Sequence, residues 1–414
     1  MIKGFLGDSL RIKEIHAREI LDSRGNPTIE VDVRTKSGFG RAAAPSGAST
    51  GIHEALELRD GEKRYFGKGV REAIKNVNEK LAPVLVGMHA DHMQEIDEAM
   101  IALDGTPEKS RLGGNAIVAA SMACAKAAAN SQGIPLYKYF GGKTLPKAMF
   151  NILNGGKHAG GKLSIQEFMV IPQAKTFSAR LQMAAEIYHT LGQQLIAKYG
   201  ASARNIGDEG GFAPQLKDSR EAFNAIEKAI QETGYGKQVT LALDAAASSF
   251  FDGKKNTYML DGKTVEPNDL FDFYISLTKE FKLKSIEDPF FEEDFSLFAA
   301  LTKKLGNKVQ IVGDDLLVTN VSRINIALAK KSCNALLLKV NQIGTITEAA
   351  NAANLCKRKG WGVIVSHRSG ETEDSFISDF SVGINAGQIK TGAPARGERT
   401  AKYNQLLRIE EELG

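Results

Sequence analysis

The sequence predicts an α/β protein, with a small N-terminal α+β domain over residues 1–140 and a larger domain of repeating βα units over residues 141–414. Three observations carry that reading. Strand-like segments precede a run of helical ones in the first part, the order of an α+β domain. Gly141 and Gly142 then punctuate the chain. From residue 239 onward, short apolar runs alternate with helical patterns, and the runs end on charged residues. A β/α barrel and an open doubly wound sheet both fit this alternation. No GxGxxG follows any apolar run, which argues against a dinucleotide fold.

In chain order, residues 10–18, 28–35 and 38–44 read as an antiparallel meander, with DSRGNP over 22–27 as turn chemistry. Residues 42–53 (AAAPSGASTGIH) are small and glycine-punctuated, a composition that can fold over a ligand or form an ordinary surface loop. Helices are expected over 69–80, 91–103 and 113–132, the last stopped by Gly133 and Pro135. Strands over 149–153 and 165–171 open the larger domain, followed by helices over 178–199 and 219–233. Further strands are expected at 240–243, 285–287, 310–312, 335–339, 362–366 and 388–390. Helices at 268–281, 295–305, 321–329, 343–359 and 373–382 are expected between them.

With 414 residues, 43% of them hydrophobic, the chain can bury one large core or two domains. Lys+Arg number 53 against 49 Asp+Glu, a formal charge of +4 with no arginine-rich arm or lysine block. Nucleic-acid binding is therefore not required. Cys124, Cys333 and Cys356 are odd in number and far apart, so neither a disulfide framework nor a CxxC pair is expected, and a reducing intracellular setting follows. No apolar run approaches the roughly 18 residues of a membrane span. Early charges in residues 1–15 argue against a signal peptide.

The strand ends carry the chemistry. Asp244, Glu287, Asp314, Lys339, His367 and Lys390 each close an apolar run, roughly one βα unit apart. In a barrel such residues converge on one face. Three carboxylates held together repel unless a cation neutralises them. An all-oxygen set suits Mg²⁺, with Mn²⁺ possible. A lysine ending a buried strand is costly unless it snorkels, pairs or is used. Lys339 is expected as a neutral amine, its pKa lowered by burial and by the charge of Lys390, and so a base for a weakly acidic C–H. In SHRSGE, Arg368 and Ser369 can hold a phosphate or carboxylate. Glu209 in NIGDEGGFAP, and Glu167 downstream of His158 in NGGKHAGG, suit a general acid. Taken singly, Glu209 reads equally as a turn acid and His158 as a loop histidine.

With these residues assembled, the chain resembles the enolases, the phosphopyruvate hydratases of glycolysis. The likeness runs through DSRGNPTIEV, SGASTGIHEALELRD, LNGGKHAGG, IQEFMV, GDEGGFAP, IEDPF, GDDLLVTN, LLLKVNQIGT and SHRSGETED. It implies a modified β/α (TIM-like) barrel opening ββαα behind the N-terminal domain. It implies a reversible, Mg²⁺-dependent dehydration of 2-phosphoglycerate to phosphoenolpyruvate. Lys339 would take the C2 proton, and Glu209, assisted by Glu167, would help the 3-hydroxyl leave. Asp244, Glu287 and Asp314 would hold the tighter of two Mg²⁺ ions, and Ser49 the one arriving with substrate. Lys390 would bind the substrate carboxylate, Arg368 and Ser369 its phosphate, with His158 closing on the ligand and His367 lining the pocket. Two metals suit this reaction because abstraction next to a carboxylate places two negative charges on one group. The resemblance further implies a homodimer or octamer, a cytoplasmic location with an additional cell-surface pool, and secondary scaffold roles. Two competing readings are an acid-sugar dehydratase of the same superfamily and a non-catalytic scaffold.

Overall fold

The computed structural model describes residues 9–48 and 51–414. Strands β1 (Ile12–Leu21), β2 (Pro27–Thr35) and β3 (Phe39–Ala43) form the expected antiparallel meander. Asp22 Oδ1 accepts from the backbone N–H groups of Arg24 and Asn26 at 2.8 and 2.9 Å, and Gly25 supplies the left-handed residue of that turn (φ 73°). The alanine-rich helix Gly114–Ser131 lies against the sheet, its small side chains almost entirely buried. The approach is close enough that a Cβ at Gly40 would stand 2.0 Å from the Ala123 carbonyl oxygen.

The helix expected over 69–80 runs on to Leu85: Arg71–Asn76, a wider turn at Val77–Leu81 and Ala82–Leu85 follow one another with right-handed helical dihedrals at both junctions. Pro83 lies inside this run, and its missing N–H and its ring go with the widening of the turn just before it.

The larger domain closes into a barrel, which decides against the open sheet. Strand β4 (Lys147–Asn154), antiparallel β5 (Glu167–Pro172), helices Phe177–Tyr199 and Ser219–Glu232, and β6 (Val239–Asp244) give the ββαα opening. A separate small sheet of β7 (Phe251–Asp252), β8 (Thr257–Leu260) and β9 (Lys263–Val265) follows, an element the sequence analysis did not anticipate. Parallel strands β10 (Leu283–Glu287), β11 (Gln310–Gly313), β12 (Ala335–Leu338), β13 (Gly362–Ser366) and β14 (Gly387–Lys390) complete the circle, and β14 pairs back onto β4. Met149, Met169, Ala242, Val312, Leu337 and Ile364 fill its interior as one buried cluster, so the barrel is a packed core rather than a pore.

Two expected boundaries move. Strand β12 stops at Leu338, and Lys339 begins the short helix Val340–Ile343; Gly344 (φ 101°) ends that turn before helix Ile346–Arg358 starts. The C-terminal helix Gly397–Leu413 was not anticipated because its buried face carries Arg399 and Lys402 beside Tyr403, Leu406 and Ile409. Two cations on the inner face blur the apolar periodicity.

The N-terminal segment lies over the barrel mouth. Ser46 and Gly370 exchange backbone hydrogen bonds of 2.8 Å, and Ala43 N donates to Asp374 Oδ2 at 3.1 Å. Ser121 Oγ and Thr347 N donate to the two oxygens of buried Asp97 at 2.7 and 2.9 Å. Among the described residues, no helix is long and apolar enough to cross a membrane.

Candidate active site

Each strand end delivers its charged residue to the same end of the barrel. Asp244, Glu287 and Lys390 are the last residues of β6, β10 and β14, while Asp314, Lys339 and His367 lie one residue beyond β11, β12 and β13. His158, Gln166, Glu167, Glu209, Asp244 and Lys339 line a small cleft together with Gly47. Ser366, His367, Arg368, Ser369 and Lys390 line it as well. Glu287 and Asp314 are buried beside it through their lysine partners. Ser49 lies outside the described residues.

Lys390 sits among three carboxylates, 2.7 Å from Glu287 Oε1, 3.0 Å from Glu167 Oε1 and 3.2 Å from Asp244 Oδ2. Burial works against its charge, but Glu167, Glu287 and Asp244 outweigh it and hold the ammonium far above the ordinary lysine range. Lys339 Nζ donates to Asp314 Oδ2 at 2.5 Å, and Gln342 Nε2 holds Asp314 Oδ1 at 2.8 Å. Burial lowers the Lys339 pKa, yet the Asp314 charge wins and the net shift is upward. This corrects the expectation of a neutral Lys339: Lys390 does pull it down, but more weakly than Asp314 pulls it up.

Asn151 Nδ2 donates to Glu209 Oε2 at 2.8 Å, while His158 Nδ1 and His367 Nε2 each lie 3.6 Å from Glu209 Oε1. Burial would raise the Glu209 carboxyl, but His158, His367, Arg399 and Lys390 bring it below its ordinary range. Glu167 moves the other way, raised by burial and then by the charge of Glu209. Glu209 is therefore no turn acid facing water, and His158 is buried in the turn Gly156–His158.

Donor atoms of His158, Glu167 and Glu209 lie within 4.8 Å of one another, and so do those of Asp288, Asp314 and Asp315. Asp244, Glu287 and Asp314 do not form such a set together, because Lys390 stands on the first two and Lys339 on the third. Both outer oxygens Glu167 Oε2 and Glu287 Oε2 are buried without a hydrogen-bond partner among the described residues. Asp288 and Asp315 are pushed up by burial and by neighbouring aspartates. Buried, mutually repelling and partly orphaned oxygens are a donor set that a divalent cation fits.

Several contributors were not singled out in the sequence. Glu54 grips Arg368 at 2.8 and 3.2 Å from 314 residues away. Arg399, fully buried, reaches His367 Nδ1 at 2.6 Å and the carbonyls of Arg368, Asp208 and Ser369. Gln166 faces Asp244 at 3.5 Å. For Glu54 the signal was its place in HEALELRD; nothing in the sequence marked Arg399.

Comparison with known proteins agrees with this architecture. The family profile described as "Enolase, N-terminal domain" matches residues 12–140, and "Enolase, C-terminal TIM barrel domain" matches residues 142–414. The chain is 57% identical to the enolase of Methanocaldococcus jannaschii over 414 residues, covering 99% of this chain and 97% of that one. It is 56% identical to the enolase of Thermococcus kodakarensis over 408 residues (97% and 95%) and 58% identical to that of Methanosarcina barkeri over 410 residues (98% and 95%). On the strength of both profiles and of these near full-length identities, the chain belongs to the enolase family.

Proposed function

We propose that the chain catalyses the reversible, Mg²⁺-dependent dehydration of 2-phosphoglycerate to phosphoenolpyruvate and water. The observation that carries this reading is the single cleft that holds Lys339 and Lys390 together with the Glu167–Glu209 pair and Arg368. A base for a C–H, an acid for a departing hydroxyl and an anion clamp all face one small volume.

Lys339 is the base that removes the C2 proton. Its ammonium is paired with Asp314; losing that charge as a partner removes what holds the pKa up, so the group can give up a proton and act as the neutral amine a base needs. Of the Glu167–Glu209 pair, Glu167 carries the proton, because burial and the Glu209 charge push it toward its neutral form while Glu209 is held anionic. That proton leaves with the 3-hydroxyl as water. Lys390 orients the substrate carboxylate, Arg368 and Ser369 hold the phosphate, His158 closes over the ligand, and His367 lines the wall beside Glu209. Asp244, Glu287 and Asp314 are the residues that would hold Mg²⁺, with Ser49 for a second ion. An ion held there would supply positive charge against the charge that builds on the substrate carboxylate.

The same reading supports a division after residue 140, a homo-oligomer and a cytoplasmic setting. The test is the Mg²⁺-dependent growth of phosphoenolpyruvate absorbance from 2-phosphoglycerate. Turnover of a sugar acid in its place would overturn the substrate assignment.

A further inference from the structure

One group of metal-binding side chains lies away from the barrel mouth. His89, Asp91 and His92 stand in the short connection between Ala82–Leu85 and the helix Met93–Asp104, with donor atoms within 4.8 Å of one another. We propose that these three residues form a second, transition-metal site in the N-terminal domain, one that takes Zn²⁺ or a similar borderline ion and is independent of the catalytic cleft.

The backbone holds the connection in place. Ala90 N donates to Leu10 O at 2.9 Å, Ile12 N to Met88 O at 2.9 Å and Gly87 N to Ile12 O at 2.9 Å, so the segment is pinned to the start of β1. His92 N donates to His89 O at 3.0 Å, a tight turn that brings the two imidazoles to one side, ring centroids 5.2 Å apart. Tyr139 Oη donates to the Asp91 carbonyl at 3.3 Å and ties the turn to the helix Leu136–Tyr139.

Two further observations point to a ligand. Asp91 Oδ1 is buried and has no hydrogen-bond partner among the described residues, an acceptor left unmatched beside two imidazoles. Glu95 Oε1 lies 3.3 Å from His92 Nδ1, placing a carboxylate behind the ring, as is usual for metal-bound histidines.

The donor chemistry selects the ion. Two imidazoles and one carboxylate suit Zn²⁺, Ni²⁺ or Co²⁺, whereas Mg²⁺ prefers oxygen alone. Tetrahedral zinc with bonds of about 2.0–2.2 Å holds its donors roughly 3.3–3.5 Å apart. The rings of His89 and His92 are stacked, 23° from parallel, and must turn toward a common point to reach that separation, a rotation open to the half-exposed His92 side chain. Three protein donors leave a fourth position for water. An ion there would fasten the first turn of Met93–Asp104 to the β1 edge.

The experiment is a Zn²⁺ titration of the full chain in saturating Mg²⁺, which competes for the oxygen-rich cleft. It is read as bound stoichiometry against a chromogenic chelator and as a Zn²⁺-dependent rise in Tm. The wild type is expected to bind about one equivalent more Zn²⁺ than the His89→Ala/His92→Ala variant. Asp91→Asn is expected to weaken that equivalent about tenfold. Unchanged Mg²⁺-dependent turnover shows that a variant is folded, and His92→Gln, at an exposed position, serves if the double variant is not. Equal Zn²⁺ stoichiometry in the wild type and in a folded variant would overturn the proposal.

Discussion

Arg368 and Glu54 form a bidentate ion pair across the two parts of the chain, with side chains only 2% and 6% exposed. Removing one partner of a buried pair leaves the other charge uncompensated. Glu54→Ala should destabilise the ligand-free protein by about 3–5 kcal/mol. A phosphate-bearing ligand on Arg368 restores an anion, so saturating phosphoenolpyruvate should raise Tm more in the variant than in the wild type. Equal ligand-induced shifts would argue against Arg368 as the phosphate clamp.

Lys339→Ala should lower the exchange of the C2 proton by about 10²–10⁴-fold while Mg²⁺ binding persists. Glu209→Gln should retain part of that exchange and lose dehydration. Isotope exchange followed by NMR separates the two steps, and wild-type exchange in Lys339→Ala would remove it from the role of base.

Asp314 is held by Lys339 and Gln342, and its carboxyl lies below the ordinary range because the Lys339 and Lys390 charges outweigh burial. Asp314→Asn should raise the Mg²⁺ concentration required for half-maximal turnover. A Mg²⁺ titration superimposable on that of the wild type would take Asp314 off the set of metal donors.

Asp97 gives a pH dependence away from the cleft. Burial raises its carboxyl to about 6, against the hydrogen bonds from Thr347 and Ser121. A raised folded-state pKa means the folded chain binds the proton more tightly than the unfolded one. The resulting stability is complete below about pH 4 and is lost as pH rises through about 6, a swing of about 3 kcal/mol. Asp97→Asn cannot titrate, so it should gain on the wild type by that amount between about pH 3 and 8, and by about half of it between pH 5 and 8, in parallel denaturant melts. A pH-independent difference would contradict this.

Leu337 belongs to the cluster inside the barrel and is fully buried. Leu337→Ala should cost about 2–5 kcal/mol, read from the urea midpoint at unchanged m-value. A loss below about 1 kcal/mol would mean that the layer collapses around the gap.

Asp244, Glu287 and Lys390 were legible because each ends an apolar run, and a run buried on both faces places its last residue at the rim. The motifs around His158, Glu209 and Arg368 were legible through the family resemblance. Arg399 was not, since a cation in a charged C-terminal helix reads as solvated until His367 and the carbonyl oxygens around it are seen. The small sheet β7–β9 was missed because its strands are too short to show a period.

The sequence by itself determined the order of the strands and helices of the meander and the barrel up to residue 390, the family and the set of charged residues at the strand ends. These follow from local periodicity and from contiguous motifs. Only the tertiary structure decided that the sheet closes through β14 and β4, that Glu54 clamps Arg368, and that Lys339 rests as a cation on Asp314. Each of those depends on groups far apart in the chain meeting where water is excluded, and there the nearest opposite charge decides which proton stays.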